Sequence, residues 1–333
     1  MKTILMQQPG GVEVLQEKDI PAPVITQPDQ VLIRIESAGV NPIDTKLRAN
    51  GTYFPENLPS ILGCDAAGRV IDIGSAVTRF KTGDEVYFYF GGIGGAEQGN
   101  YAEYNVVPED YIALKPGKLS IVEAAAVPLA LITAWEALHD HLHLIKGETV
   151  LIHAGAGGVG HMAIQLAKIA GCRVITTVSS ANKSSFVTGL GADEVINYKE
   201  QDVSQRVMEL TDDEGVDAVL DCVGGKTFGL SFAAMKPYGR IVSLIQFPQD
   251  TDWKLARLKN LQISMELMLS PAFLGLEAKR IKQRAILETC ANYFDQGTLK
   301  VEISHELSLS EAAKAHQLIE AGGIVGKIVL KVE

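Results

Sequence analysis

The stretch Gly155-Ala156-Gly157-Gly158-Val159-Gly160 constrains this chain more than any other. It fits G-x-G-x-x-G, a spacing that is weak evidence when it stands alone and is also met in ordinary glycine-rich turns. Its flanks give it weight. The apolar run Thr149–Ala154 leads straight into it, and the amphipathic run Val159–Ala170, ended by Gly171, leaves it. Strand, glycine turn and helix in that order let a backbone approach a pyrophosphate, with the free N–H groups and positive dipole end of the helix facing the ligand. A dinucleotide site built on Gly155, Gly157, Gly158, Val159 and Gly160 is therefore expected.

The alternation continues downstream. Strands are predicted at 173–178, 195–197, 216–222 and 240–245, with helices at 183–190, 203–210 and 227–235 between them, and 261–268 as a last strand. Such alternation argues for a parallel sheet covered by helices. Before it, 123–138 is rich in Ala and Leu and reads as one helix. Residues 1–125 read differently, as short strands (31–35, 68–73, 85–90) broken by Gly and Pro, which suits a barrel-like, mostly antiparallel domain. Gly91–Gly95 carries four glycines in five residues and reads as a mobile loop. The predicted organisation is α/β: a β-barrel domain over 1–125 and 270–333, and a doubly wound, Rossmann-type parallel-sheet domain over 126–269. A chain of 333 residues is long enough for two cores.

Composition narrows the partners. A formal net charge of -10 disfavours a nucleic-acid partner. No apolar run is long enough to span a bilayer, and the N-terminus lacks the apolar core of a signal peptide. Cys64, Cys172, Cys222 and Cys290 form no paired framework, so reduced thiols and a cytoplasmic location are expected.

The strand after the glycine turn bears on which dinucleotide is bound. NAD sites usually place a carboxylate about 20 residues on, to grip the ribose 2′-hydroxyl. No Asp or Glu occurs from His161 to Ala192; the strand instead runs into Ser179, Ser180 and Lys183. Hydroxyls and an ammonium suit a 2′-phosphate that a carboxylate would repel, so NADPH is expected. The two serines also suit a helix cap, and the roles are compatible.

The segments AGVNPIDTKLR (38–48), LPSILGCDAAGRV (58–70), GNYAEY (99–104), AAAVPLALITAWEAL (124–138), HAGAGGVG (153–160), LGADEVINY (190–198) and GKIVL (326–330) together resemble the medium-chain dehydrogenase/reductase superfamily, in its zinc-free quinone oxidoreductase branch. The resemblance implies a GroES-like barrel, a Rossmann domain, an active site in the cleft between them, and a homodimer pairing through 261–268. It implies a 2′-phosphate pocket at Ser179, Lys183 and Tyr198, and a nicotinamide side at Thr133, Val223, Leu244 and Phe247. It also implies Asn41 and Tyr53 as hydrogen-bond donors to an acceptor carbonyl, although Asn41 before Pro42 also reads as a turn residue and Tyr53 as a packing residue. Lys46 stands where a tyrosine is usual in bacterial quinone reductases. The run Pro42-x-Asp44-x-Lys46 is similar instead to plant-type enone reductases, with a surface lysine as the alternative.

In zinc enzymes of the superfamily, Cys and His occupy two points of the barrel. Here Asn41 stands at the first and Cys64 at the second, followed by Asp65, and no four-cysteine lobe is present. No metal is expected, although Asp44, Cys64 and Asp65 could gather. His139, Asp140, His141 and His143 read as an exposed helix end. Without a Lewis acid, acceptors that take hydride readily are favoured: a quinone or an α,β-unsaturated carbonyl as small-molecule substrate. The alternatives are an NADPH-binding protein without turnover, of the sensor or crystallin kind, and a zinc-type alcohol dehydrogenase.

Overall fold

The computed structural model describes residues 1–332. The chain divides into two compact units, one formed by Met1–Leu129, Pro271–Gly297 and the stretch from Val301 onward, the other by Ala130–Ser270 and Thr298–Lys300.

The first unit is the GroES-like β domain. Its main sheet has seven strands, six of them in the order Ile303–Ser308, Lys327–Lys331, Gln30–Val40, Asp65–Ile73, Glu85–Tyr89 and Ile112–Leu114, with Tyr104–Pro108 also paired to Gln30–Val40. A three-stranded sheet joins Leu15–Asp19, Lys2–Met6 and Ser60–Ile61. Gln30–Val40 shows why. Val31, Ile33 and Ile35 alternate inward with less buried neighbours, the period of a strand with one face on a core. They pack there with Val70, Val86, Phe88 and Val107. From Ser37 onward the strand is buried on both faces. The returning strand Lys327–Lys331 pairs antiparallel with it, Ile328 opposite Val40, and so carries Lys327 to the start of the helix Pro42–Asn50.

The second unit is the Rossmann domain. Six strands run parallel in the order Glu194–Asn197, Arg173–Val178, Thr149–Ile152, Val216–Asp221, Met235–Ser243 and Gln262–Met265. Their direction of winding reverses at Thr149–Ile152, and in open α/β sheets ligands bind at such a switch point, beyond the carboxyl ends of the strands. Leu151, Ile175, Val219, Phe228, Phe232 and Ile241 are among its fully buried core residues.

Three local expectations are corrected. The single helix expected over 123–138 is divided into Ile121–Ala125, Pro128–Trp135 and a π-helical turn Glu136–His141. Pro128 lacks an N–H and holds Val127 out of helical geometry. The stretch around Asn41-Pro42, which also read as a turn, opens the helix Pro42–Asn50, with Asn41 as its N-cap and proline in the first turn. The glycine-rich loop 91–95 is not an exposed, loose segment. Gly91, Gly92 and Gly94 are buried with φ of 67°, 78° and 85°, and a side chain on Gly94 would meet Thr52 Cβ at 2.3 Å. Its glycines serve close packing. Among the described residues no helix is long and apolar enough to cross a membrane.

Candidate functional site

The glycine turn follows the strand Thr149–Ile152 and enters the helix Gly158–Ile169, whose N-cap is Gly157. Two of its glycines are required by close approach. A Cβ on Gly155 would lie 2.1 Å from Thr176 Oγ1, and one on Gly160 would lie 2.3 Å from the Ala154 carbonyl oxygen and 2.8 Å from Gly155 Cα. The turn is thus pressed onto the sheet and the helix onto the turn, which leaves the amide N–H groups of the helix start free to meet an anion.

Beside the turn lies a cavity of about 370 Å³, lined by His153, Ala154, Thr177, Tyr198, Gln201, Asp202, Val203, Val223, Thr227, Leu230 and Ser231, among others. Its volume and mixed polarity are those of a small-molecule site. His153 forms part of its wall within a buried chain of hydrogen bonds. Ser231 gives its one hydrogen to the Thr227 carbonyl at 2.7 Å, so its oxygen accepts from His153 Nε2 at 2.9 Å. In the neutral ring Nδ1 is then the acceptor and takes the hydrogen of Thr177 Oγ1, 3.3 Å away, which itself accepts the Ala154 N–H at 3.1 Å. Burial holds the imidazole down at about 4, against an ordinary value of 6.5, so it is neutral at physiological pH.

At the next strand end, Ser180 caps the helix Ala181–Gly189, its hydroxyl facing the Lys183 N–H at 3.5 Å. Ser179 and Lys183 are half-buried there, and Tyr198 is 52% exposed with its N–H on the Val178 carbonyl.

In the barrel unit a second constellation is fully buried. Asn41 Nδ2 donates to Asp65 Oδ2 at 2.9 Å, and Lys327 Nζ donates to Asn41 Oδ1. Lys327 stands 3.8 Å from Asp65 Oδ2, and the other Asp65 oxygen accepts the Leu129 N–H at 2.9 Å. Asp44 accepts the Asn41 N–H at 2.8 Å and the Tyr101 hydroxyl at 3.0 Å, and the Cys64 thiol faces its second oxygen at 3.8 Å. Burial lifts the Asp44 carboxyl to about 7, against the hydrogen bonds of Asn41 and Tyr101. It also raises Asp65 and lowers Lys327, while the attraction between those two opposes both shifts.

A family model for the alcohol dehydrogenase GroES-like domain matches residues 27–117, and one for zinc-binding dehydrogenases matches residues 190–330. A quinone oxidoreductase of Pseudomonas aeruginosa is 36% identical over 322 residues, 96% of each chain. The chain belongs to the medium-chain dehydrogenase/reductase superfamily. Another member of that superfamily, a zinc-type alcohol dehydrogenase-like protein of Staphylococcus aureus, is 33% identical over the whole of both chains. The structure of the Escherichia coli quinone oxidoreductase, described as complexed with NADPH, superposes with a TM-score of 0.87 at 29% identity, covering 99% of this chain and all of that one.

Within the superfamily framework, the residues singled out from sequence fall into separate groups. Gly155, Gly157, Gly158, Val159 and Gly160 form the turn and helix start, and Tyr198 and Val223 line the adjacent cavity. Thr133 is buried in the helix Pro128–Trp135. Leu244 follows the strand Met235–Ser243, its N–H on the Asp221 carbonyl. The Phe247 ring stacks on Phe228, 4.3 Å between centroids, and meets Trp253 edge-on at 5.8 Å. Its side chain packs an aromatic cluster, the cheapest place for so large an apolar ring. Asn41 is buried, 1% exposed, whereas Lys46 is exposed on its helix and Tyr53 is 53% exposed with its ring 4.2 Å from that of Phe273. The His139–His143 run is also corrected in part. His139 leans on the Trp135 ring at 4.3 Å, and His141 Nε2 lies 2.6 Å from the buried Glu266. Burial pushes Glu266 up to about 9 and Glu136 adds to it, while burial lowers His141.

Sequence reasoning missed Lys327, Tyr101, His153 and Ser231. Lys327 lies in the GKIVL run and His153 in the HAGAGGVG run, so position was visible. Their partners were not, because each partner is 24 or more residues away.

A zinc ion, which the zinc-binding dehydrogenase model implies, would have to draw its ligands from the barrel cluster. Zinc takes three or four N, S or O ligands at about 2.0–2.3 Å. The position of the first thiolate is held by a carboxamide, both oxygens of Asp65 are taken by N–H donors, and an ammonium sits among them. Among the described residues no group of three or more His, Cys, Asp or Glu side chains has a metal-holding arrangement. The residues do not fit a zinc ion.

Proposed function

We propose that this protein is an NADPH-dependent oxidoreductase that reduces quinones or α,β-unsaturated carbonyls without zinc. The observation that carries the reading is the pair of strand ends around the glycine turn. One offers a cradle with no room for a Cβ, the other offers Ser179, Ser180 and Lys183 with no carboxylate. Gly155–Gly160 would hold the pyrophosphate, Ser179, Lys183 and Tyr198 the 2′-phosphate, and the cavity walls at Val203 and Leu230 the adenosine. Thr133, Val223, Leu244 and the chain around Phe247 would face the nicotinamide. Bound NADPH supplies a hydride.

The chain's own groups then have to bind an acceptor and stabilise charge developing on its carbonyl oxygen. Asn41 Nδ2 spends one hydrogen on Asp65 and keeps a second. Tyr53 and Lys46, both exposed, are the other donors assigned to the acceptor. Lysine at position 46 favours the enone over the quinone within this pair. The reading extends to a homodimer paired through the sheet edge Gln262–Met265, where Met265 and Leu267 are exposed apolar residues, and to a cytoplasmic location for a chain with four free cysteines.

The test is NADPH and NADH oxidation against a panel of quinones and enones, with metal analysis of the purified protein. Turnover with NADPH and substoichiometric zinc is expected. Tight NADPH binding without turnover on any acceptor would instead identify a non-catalytic binding protein. A zinc-type alcohol dehydrogenase is the second reading, favoured by the likeness to the Staphylococcus aureus protein. Stoichiometric zinc with alcohol oxidation would establish it.

A further inference from the structure

The strands Val216–Asp221 and Met235–Ser243 are joined at their carboxyl ends by a side chain that the proposed reaction leaves without a role. Asp221 and Ser243 are register partners, and both are wholly buried. Asp221 Oδ1 accepts the Val223 and Gly224 N–H groups, each at 2.9 Å. Oδ2 faces the Ser243 hydroxyl at 2.9 Å. That hydroxyl also lies 3.0 Å from the Ile245 carbonyl oxygen and accepts the Ile245 N–H at 3.3 Å. The Asp221 carbonyl takes the Leu244 N–H at 3.0 Å. One residue thus holds the backbone of both segments that leave the sheet here.

Burying a carboxyl group is costly unless hydrogen bonds compensate, and an apolar pair at these two positions would join the strands without that cost. An apolar pair could not fix the amides beyond the strand ends. The loop fixed in this way is open on its outer side. Val223 is 48% exposed and lines the nucleotide cavity. Gly224 and Gly225 take φ of 71° and 55°, and a Cβ on Gly224 would lie 2.7 Å from Ile245 Cβ. The two segments are therefore pressed together, with the backbone pinned where a side chain stands uncovered.

We infer that Asp221 is a positioning residue for the nicotinamide: its carboxyl group locks Val223 and Leu244 into one wall, against which the bound ring is held still for hydride transfer. The inference rests on the assignment of Val223 and Leu244 to the nicotinamide side in the function proposed above. A misplacement of about 1 Å costs on the order of 100-fold in rate. Affinity is a separate matter, because the pyrophosphate and 2′-phosphate contacts proposed at Gly155–Gly160 and Lys183 follow two other strands.

The experiment compares the full-length wild type with Asp221→Ala, Asp221→Asn and Ser243→Ala. Three quantities are read: NADPH affinity by calorimetry, the fluorescence lifetime of bound NADPH, and kcat with an enone. The fluorescence arises in the nicotinamide ring, and its lifetime lengthens as the ring is immobilised. Asp221→Ala is expected to bind NADPH within about twofold of wild type, to shorten the bound lifetime toward that of free NADPH, and to lower kcat about 10- to 100-fold. In Asp221→Asn the amide oxygen can keep the Val223 and Gly224 N–H groups while the NH2 donates to Ser243 Oγ, so lifetime and kcat should return to within about threefold of wild type. Ser243→Ala removes one arm of the clamp and should shorten the lifetime and lower kcat about threefold at unchanged affinity. If Asp221→Ala does not fold, Ser243→Ala decides by itself. The inference is overturned if the folded variants keep the wild-type lifetime, if affinity and kcat fall together, or if Asp221→Asn recovers neither lifetime nor kcat. A wild type that immobilises the ring yet turns over no acceptor would sink the proposed reductase and leave the lifetimes to judge Asp221. A wild type that reduces enones beside an Asp221→Ala variant of unchanged lifetime would sink the inference alone. A wild type that binds no NADPH would sink both.

Discussion

His153 Nε2 lies 2.9 Å from Ser231 Oγ, and this hydrogen bond ties the end of the first Rossmann strand to the helix Lys226–Ser231 across the wall of the nucleotide cavity. The imidazole has no charge to give, so its value is geometric: it holds Thr177 and Ser231 in fixed orientation. His153→Phe leaves both hydroxyls without that partner, at roughly 1–3 kcal/mol per buried unsatisfied group. A weaker NADPH affinity with little change in kcat is expected, with His153→Gln recovering part of it. Fluorescence titration and steady-state kinetics check both.

The pH dependence of stability has a definite sign on the acid side. His153 and His316 are each held at about 4 by burial, below the ordinary 6.5. Between these values the unfolded chain binds more protons than the folded one, so the stability they contribute is present above pH 6.5 and is lost as pH falls through 4. The loss is of order 3 kcal/mol for each at most. Other buried groups titrate in the same range, so the histidine contribution is read as a difference: between pH 7.5 and 4.5 the urea midpoint of His316→Asn should fall relative to its own pH 7.5 value by less than that of wild type.

Asp44 acts in the same range with the opposite sign. Its carboxyl is raised from 3.8 to about 7 by burial, so the folded chain holds the proton that the unfolded chain releases, and stability declines as pH rises from about 4 to 7. The shift corresponds to no more than about 4 kcal/mol. Asp44→Asn keeps an acceptor for Asn41 and Tyr101 and should remove that slope, leaving the variant at least as stable as wild type at pH 7.5. Thermal melting across the range decides it. A slope unchanged in Asp44→Asn would assign it elsewhere.

Gly160→Ala should damage both fold and cofactor site. The new methyl would meet the Ala154 carbonyl oxygen at 2.3 Å, and backbone does not yield cheaply. Overpacking of this kind costs roughly 1–3 kcal/mol. NADPH affinity should fall by at least tenfold, while Gly189→Ala, with nothing within 4 Å of its Cβ, should leave affinity unchanged. Calorimetry of the two variants makes the comparison.

Lys183→Ala should separate the two nucleotides. A charge-assisted hydrogen bond contributes roughly 1.5–3 kcal/mol, or about 10- to 100-fold in affinity. The Michaelis constant for NADPH should rise by that factor and the constant for NADH should hardly move. Equal effects on both would remove Lys183 from the 2′-phosphate site.

The two-domain α/β architecture was legible in the residues because local pattern encodes it. Alternation at Val31, Ile33 and Ile35 marks a strand with one buried face, and the order strand, Gly155–Gly160, helix marks a Rossmann turn. The break at Pro128 was equally present in the sequence, but an Ala- and Leu-rich run concealed it. The helix Pro42–Asn50 was hidden for the opposite reason: Asn41-Pro42 is both a turn signal and a helix-start signal, and only the packed structure selects one.

Sequence by itself determined what depends on neighbours along the chain: the glycine cradle, the missing carboxylate after the second Rossmann strand, and the loss of the zinc enzyme's Cys and His at positions 41 and 64. Tertiary structure decided what depends on neighbours in space. The Phe247 ring came to stack on Phe228 and to meet Trp253 edge-on. Lys327 became the cation of a buried cluster because an antiparallel pairing sets Ile328 opposite Val40, one residue from Asn41. A charge inside a protein is defined by the groups that desolvate and balance it, and those come together only when distant strands pair.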